Sequence, residues 1–248
     1  MTRFLSLCLG LFLASSTTLA YDAPHAATAP NIDGVADDDA WGRAEWANID
    51  QLILGTAPSA DDFRGHFKMV WTAEKLYLLA RITDDVLIDS HSDPLDSYWE
   101  DDTLELFLDE DQSGGNHLNN HDAMAYHIAL DNQVVDIGVD GQPRLFNSHV
   151  KSQWRRTSNS PNSLIWEASF SVYPKTLSDD EDGMGKDPVL PVVLHVNKKI
   201  GFLVAYCDAD GDQGREHFLS SIDVAAVNGD KNRAYITADV FDELVLME

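Results

Sequence analysis

Cysteine, basic residues and long apolar runs are all scarce in this sequence. Only 2 of the 248 residues are Cys, so disulfides cannot form the framework of the fold. Lys and Arg number 17 against 42 Asp and Glu, which gives a net charge of −25 at pH 7. A charge this negative repels phosphate backbones, so the composition excludes nucleic acid as a partner. After residue 20 no stretch is apolar enough to cross a bilayer, so we expect no membrane span.

The first twenty residues differ from the rest and indicate a secretory signal peptide. Arg3 precedes the apolar stretch 4–14, and Ala20 ends a group of small residues that suits cleavage. Cleavage there would leave Cys207 as the only thiol. We therefore expect a secreted or periplasmic protein with one domain over residues 21–248. The chain is 44% hydrophobic, which is enough for a sizeable core.

Apolar and polar residues alternate with the period of a β-strand through most of the chain, and helical periods are scarce. Turn-forming Gly, Pro, Asn and Asp separate the alternating stretches. This pattern predicts about ten strands in an all-β, antiparallel β-sandwich of the jelly-roll kind. The clearest predicted strands cover residues 66–71, 75–82, 103–109, 125–130, 134–139, 163–172 and 199–207.

Several motifs occur in one order along the chain. The stretch 30–41 contains Ile-Asp-Gly followed by Asp and Trp, and 98–109 contains the pattern W-x-x-D-x-x-E-x-F-x-D. The stretches 199–202, 232–235 and 241–246 follow them. Together they resemble the family 9 carbohydrate-binding modules and the wider DOMON-like sandwich group. The resemblance implies a non-catalytic β-sandwich that binds a mono-, oligo- or polysaccharide, with structural calcium and with glycan-degrading enzymes as associates.

The resemblance implies sugar-binding roles for Trp99 and Glu105. A sugar has an apolar face and a polar rim, so its recognition needs a flat aromatic ring beside hydrogen-bonding groups. Trp99 would be the stacking platform, and the Glu105 carboxylate would accept two hydroxyls. The alternative is that Trp99 packs a loop and that Glu105 lies solvated on the outer face of a strand.

Many members of that family enclose the sugar with a second tryptophan, and this chain differs there. The corresponding stretch 214–219 contains no Trp. Phe218 is its nearest substitute, and Arg215 would donate to a hydroxyl. Phe218 as a core residue is the alternative. His127 would line the same cleft, unless it is a structural histidine.

Acidic residues alternate with small ones at Asp208, Asp210 and Asp212, close to two glycines. Carboxylates on a backbone that can curl are the ligands that a hard cation prefers, so these three are candidate calcium ligands. The flanking helices and the spacing of an EF-hand are absent. A tight acidic turn without metal is the alternative interpretation.

Two other functions compete with sugar binding. Some DOMON-like domains bind b-type haem, and Met124 with His127 would be the axial ligands; covalent haem is excluded because C-x-x-C-H is absent. A glycoside hydrolase would need two carboxylates that face each other across a cleft. Glu105 has no obvious partner for that role in the sequence, so we expect no enzyme.

Overall fold

The computed structural model describes residues 20–159, 161–178, 189–211 and 213–248. The signal peptide predicted at the N-terminus therefore lies, except for Ala20, outside the described residues. Two short 3-10 helices, Asp39–Arg43 and Ala238–Val240, accompany fourteen strands within those ranges. The strands are β1 (Tyr21–Pro24), β2 (Ala47–Ile49), β3 (Gln51–Leu54), β4 (Phe63–Trp71), β5 (Leu76–Asp84), β6 (Thr103–Asp109), β7 (Met124–Ala129), β8 (Val134–Ile137), β9 (Pro143–Leu145), β10 (Val150–Asn159), β11 (Asn162–Phe170), β12 (Lys199–Asp208), β13 (His217–Ser220) and β14 (Asp242–Met247).

The strands form two sheets. The larger sheet has nine strands in the order β1-β14-β12-β6-β7-β8-β9, with β13 paired to β12 and β3 paired to β13. The smaller sheet has five strands in the order β10-β11-β5-β4-β2. Every pairing of these strands is antiparallel except that of β1 with β14, which is parallel. The all-β sandwich predicted from the alternation is confirmed.

Seven of these strands were predicted from the alternation, and β6 has the predicted bounds. The ends of the other six differ from the predicted ones by up to three residues. The alternation missed short strands such as β1, β2 and β9, because three or four residues are too few for a period to be visible. It also missed β10, whose residues are almost all exposed or half-buried.

The main core lies between the two sheets. Leu104 and Leu106 of β6 are fully buried there, as are Phe67 and Trp166 of the smaller sheet. Burying one such side chain contributes about 1.5–3 kcal/mol to folding. Because side chains alternate along a strand, Glu105 and its odd-numbered neighbours face the other side of the larger sheet. Loops cover that side, and the functional site is built on it.

The segment before β2 covers one part of the outer face of the smaller sheet. Trp41 is buried there against Val70 and Leu79, and its indole Nε1 donates to Glu167 Oε1 at 2.9 Å. The other Glu167 oxygen accepts from the backbone N–H of Gly34 at 2.8 Å. No helix within the described ranges has the length and apolar character needed to span a membrane.

Candidate functional site

A cavity of about 300 Å³ opens on the loop-covered side of the nine-stranded sheet. Strands β6, β7, β8 and β13 supply its floor, and the segments around residues 98 and 235 supply its rim. Aromatic rings and a few charged groups line it, which is the usual composition of a site for a small organic ligand. The lining residues are Tyr98, Trp99, Glu105, Phe107, His127, Ile137, Arg215, Phe218, Asn232 and Tyr235.

A buried ion pair lies at the base of the cavity. Glu105 of β6 and His127 of β7 are register partners, and His127 Nε2 lies 3.1 Å from Glu105 Oε1. His127 Nδ1 lies 3.0 Å from the Ala125 carbonyl oxygen, so both ring nitrogens face acceptors, and this arrangement favours the imidazolium form. Burial acts to raise the pKa of Glu105, but His127, the hydrogen bond from Cys207 and the charge of Arg215 together outweigh burial and hold that pKa below its usual value. Burial likewise acts to lower the pKa of His127, but Glu105, the Ala125 carbonyl and Asp136 together outweigh burial and raise that pKa.

Cys207 and Arg215 continue this network towards the cavity wall. The Cys207 thiol donates to Glu105 Oε1 at 2.8 Å, and Arg215 Nη1 donates to the Cys207 sulfur at 3.2 Å. Burial and the adjacent Glu105 carboxylate raise the pKa of Cys207 well above its usual value, so the thiol stays protonated. Within the described chain Glu105 Oε2 is buried and has no hydrogen-bond partner.

Trp99 stands at the rim of the cavity with 39% of its surface exposed. Its indole Nε1 donates to Glu100 Oε1 at 2.7 Å, and its ring meets Tyr98 edge-to-face at 4.9 Å. Glu100 Oε2 accepts from the Arg215 backbone N–H at 2.9 Å, so one carboxylate holds both Trp99 and the Arg215 loop. Gly214 has a φ of +79°, and a Cβ there would lie 2.2 Å from Glu100 Oε2, so this contact requires glycine.

Tyr235 is a second exposed ring that borders the cavity, with 41% of its surface accessible. His117 anchors its loop, because His117 Nε2 bonds the Ala234 carbonyl at 2.7 Å. The backbone N–H of His117 donates to the Ile236 carbonyl at 2.9 Å. Sequence analysis did not assign Tyr235, although the stretch 232–235 was among the motifs that carried the family resemblance.

The structure brings together the five residues singled out from the sequence as sugar-binding candidates, since all of them line the cavity. Two of them lie deeper than expected. Glu105 is only 1% exposed, and its Oε1 atom contacts His127 and Cys207 beneath the surface of the cavity. Phe218 is 3% exposed, and the Arg215 guanidinium lies over its ring at 4.6 Å. The expectation that Phe218 replaces the second stacking ring is therefore corrected, since its face is already covered.

A carboxylate cluster lies at the ends of β5 and β12. Asp84, Asp208 and Asp210 each place an oxygen within 4.8 Å of the others, whereas Asp212 lies outside the described residues. Both oxygens of Asp208 are buried, and neither has a hydrogen-bond partner in the described protein. Burial, reinforced by the neighbouring carboxylates, raises the pKa of Asp208 to about 8 and that of Asp84 to about 7.

Asp62 and Asp85 extend this cluster, because each places an oxygen within 4.8 Å of Asp210 in a second group of three. A donor set made only of carboxylate oxygens is what calcium prefers among biological cations. Buried oxygens without partners are unfavourable unless a cation or a proton reaches them. The residues present therefore fit calcium. Sequence analysis missed Asp84 and its neighbours because they lie more than a hundred residues before Asp208 in the chain.

The two candidate haem ligands, Met124 and His127, point to opposite sides of the larger sheet. Met124 is buried in the core between the sheets, while His127 lies on the opposite side of the larger sheet beneath the cavity. They are three residues apart on one strand, so strand alternation sends their side chains to different faces. The pair Met124 and His127 cannot ligate one iron.

The sequence matches the family described as "Carbohydrate family 9 binding domain-like" over residues 32–248. It is 27% identical over 147 residues to endo-1,4-beta-xylanase A of Thermotoga neapolitana. It is also 30% identical over 104 residues to exoglucanase XynX of Acetivibrio thermocellus. These alignments take in 55% and 42% of this chain but only 13% and 9% of the two enzymes.

Two solved structures have a similar fold. A carbohydrate binding module family 9 protein from Caldicellulosiruptor kristjanssonii in complex with cellotriose aligns with a TM-score of 0.65 at 19% identity, over 92% of this chain and 94% of that one. Its complex with glucose aligns with a TM-score of 0.60 at 20% identity, over 91% and 95% of the two chains. Because the family match extends over most of the sequence, this chain belongs to the carbohydrate family 9 binding domain-like family.

Proposed function

We propose that this protein is an exported, non-catalytic binding protein that holds a saccharide in the cavity between Trp99 and Tyr235. The observation that carries the proposal is the pair of exposed aromatic rings on one cavity whose base holds a buried ion pair. Exposed aromatic rings offer flat apolar surface to the C–H face of a sugar. The polar groups below them can bond the hydroxyls at its rim.

The polar groups have distinct parts in this proposal. The Arg215 guanidinium and the Asn232 amide donate to hydroxyl oxygens from the wall of the cavity. Glu105 Oε2 accepts from a hydroxyl that reaches the base, and hydrogen bonds to an ionised carboxylate are about twice as strong as neutral ones. His127 keeps that carboxylate ionised and fixes its orientation.

The proposed ligands are glucose and short β-glucans or xylans. The neighbouring solved structures are complexes with cellotriose and with glucose, and the curated relatives are a xylanase and an exoglucanase. A cavity of about 300 Å³ suits a small saccharide or the end of a chain better than a long mid-chain segment. Glycan-degrading enzymes are the proposed associates, because this domain type is found within such enzymes.

Binding without hydrolysis follows from the acid groups. Glycosidases need two carboxylates on opposite sides of the scissile bond, about 5–10 Å apart, one of them able to donate a proton. Among the described residues that line the cavity, Glu105 is the only carboxylate. Its pKa is lowered by His127, so it is ionised at neutral pH and cannot act as a general acid.

We also propose calcium at the carboxylate cluster, with Asp84, Asp208 and Asp210 as ligands. A bound cation would neutralise the repulsion among these carboxylates and tie the end of β5 to the end of β12. Asp102 accepts from the backbone N–H of Ala209, next to Asp208, and follows shortly after Trp99 in the chain. Calcium at the cluster would therefore stiffen the segment that carries the stacking ring.

Calorimetry against glucose, cellobiose and xylobiose tests the proposal, with Trp99→Ala and Tyr235→Ala as variants. Removal of either aromatic ring should weaken sugar binding about tenfold or more, which corresponds to about 1.4 kcal/mol of binding free energy. Tyr235→Phe is the matched control, because it keeps the ring and should keep most of the affinity. Wild-type protein that gives no binding heat with any of these sugars, or an alanine variant that binds as tightly as wild type, would refute the site.

A further inference from the structure

The outer face of the five-stranded sheet carries a group of basic side chains, here named the basic face: Arg64, His66, Lys68, Arg81 and Arg155. The register places His66 opposite Arg81 on β4 and β5, and Ile165 of β11 connects Arg81 to Arg155 of β10. Adjacent strands are about 4.8 Å apart, so cations recur across a flat surface at intervals of about 5–10 Å. Arg64, Arg81 and Arg155 are exposed.

Four cations of the basic face form no ion pair with a carboxylate of the described residues, unlike three lysines at the larger sheet. Lys175, Lys198 and Lys199 each form an ion pair with a carboxylate on or near the larger sheet. Among the described residues, no carboxylate pairs with Arg64, Lys68, Arg81 or Arg155. Arg64, Lys68 and Arg155 donate only to backbone carbonyls. In a chain with 42 acidic residues and 17 basic ones, a cluster of cations without ion pairs on one face is a candidate surface for an anionic partner.

Trp46 organises the basic face. The Arg81 guanidinium lies 4.5 Å from the centre of its ring and the Lys68 ammonium 4.8 Å, so one indole positions two cations. Within the described chain the Arg81 side chain makes no hydrogen bond, and its donors remain open for a ligand. Burial lowers the pKa of Lys68, and nearby Arg81 lowers it further, while Glu45 acts in the opposite direction. An anion docked here would relieve that repulsion.

A hollow of about 340 Å³ lies next to the basic face. Arg64, His66 and Asn48 are among the residues that line it. Asp50 also lines the hollow, but its two oxygens already accept from the side chains of Asn48 at 2.9 Å and Gln51 at 2.6 Å. The hollow therefore combines the donors of Arg64 and Asn48 with one carboxylate, which the two amides partly satisfy.

We propose that the basic face is a second binding surface and that its ligand is a carboxylated polysaccharide, a glycan with uronic acid residues. Guanidinium groups bind carboxylates through parallel hydrogen bonds, and the surface between them carries neutral groups, Thr83 and Ser163, that suit sugar hydroxyls. Near physiological salt, charges more than about 8–10 Å away are screened, so the local cations outweigh the net charge of −25.

This surface lies on the sheet opposite the saccharide cavity, so the proposal does not depend on the function of the cavity. The test measures binding of the whole protein to polygalacturonate and to its methyl-esterified form, which has the same backbone without the charge. Arg81→Glu combined with Arg155→Glu is the test variant. Lys175→Glu combined with Lys199→Glu is the control, since it changes the net charge equally at the other sheet.

At about 0.1 M salt we expect wild type and the control to bind polygalacturonate and not its ester. The Arg81→Glu, Arg155→Glu variant should bind it about tenfold more weakly while cellobiose binding stays unchanged. The proposal is overturned if wild type does not bind polygalacturonate, if the ester binds equally well, or if the control loses as much affinity as the test variant. Binding to phosphatidylserine vesicles in place of polygalacturonate would also overturn it and would assign the face to a lipid surface.

Discussion

Glu100 is predicted to control sugar affinity without lining the cavity. Its two carboxylate oxygens accept from the Trp99 indole at 2.7 Å and from the Arg215 backbone at 2.9 Å. Replacing Glu100 with Ala removes both bonds and frees the stacking ring and the Arg215 loop from each other. Ordering them again on binding would then cost conformational entropy.

The size of the effect can be worked out from these two hydrogen bonds. A hydrogen bond to a charged group contributes about 1.5–3 kcal/mol when it is buried. Glu100 is half-buried, and solvent screening reduces each bond to about 0.5–1 kcal/mol. The two bonds together are then worth about 1–2 kcal/mol, which corresponds to a five- to thirtyfold loss of affinity.

Isothermal calorimetry with cellobiose measures this loss in Glu100→Ala. Glu100→Gln should lie between wild type and the alanine variant, because one amide oxygen can accept only one of the two bonds. Glu243→Ala, which removes a carboxylate paired to Lys199 elsewhere on the larger sheet, should bind as wild type does. If Glu100→Ala folds normally and binds cellobiose within about twofold of wild type, the bridging role is refuted.

Two further predictions concern the carboxylates. Calcium at a concentration a hundredfold above its Kd would add about 2.7 kcal/mol to the free energy of unfolding. If calcium binds at the cluster, its removal by a chelator should therefore lower the melting temperature by about 5–10 °C. Asp208→Asn should abolish the effect of chelation on the melting temperature and should stabilise the metal-free protein. The control Asp223→Asn, at an exposed position, should still show the effect of chelation. An Asp208→Asn variant with the same shift as wild type would contradict the assignment. The ion pair of His127 and Glu105 should stabilise the fold most between pH 4.5, the ordinary pKa of Glu, and pH 6.5, the ordinary pKa of His. The stabilisation by this pair falls as pH rises through the raised pKa of His127, and it also falls as pH drops through the lowered pKa of Glu105. The difference in melting temperature between wild type and His127→Gln should therefore become smaller at both high and low pH. A difference that stays constant with pH would refute the ion pair.

The sequence predicted the parts of the site that local patterns encode. The alternation in β6 placed Glu105 on the face opposite Leu104 and Leu106, and the motif over residues 98–109 placed Trp99 just before that strand. The register of the larger sheet then brought His127 and Phe218 to the same cavity. The face on which Glu105 lies follows from the period of its own strand, whereas the meeting of Glu105 with His127 and Phe218 depends on the partner strands.

The same patterns could not reveal that Glu105 is buried as an ion pair or that Phe218 lies beneath a guanidinium. Burial depends on which loops cover a strand, and the covering groups come from distant parts of the chain. Cys207 and Arg215 reach Glu105 across more than a hundred residues. Phe218 was the predicted substitute for a second stacking ring, and the second exposed ring on the cavity is Tyr235.

By itself, the sequence determined an acidic, disulfide-free β-sandwich and the motifs of its family, because composition and strand period are local properties. Tertiary structure alone decided which charges meet. It joined Asp84 to Asp208, set Tyr235 and Trp99 on one cavity, and gathered Arg81 and Lys68 around the ring of Trp46. The reason is physical: electrostatic and packing energies depend on distance in space, and the pairing of fourteen strands sets those distances.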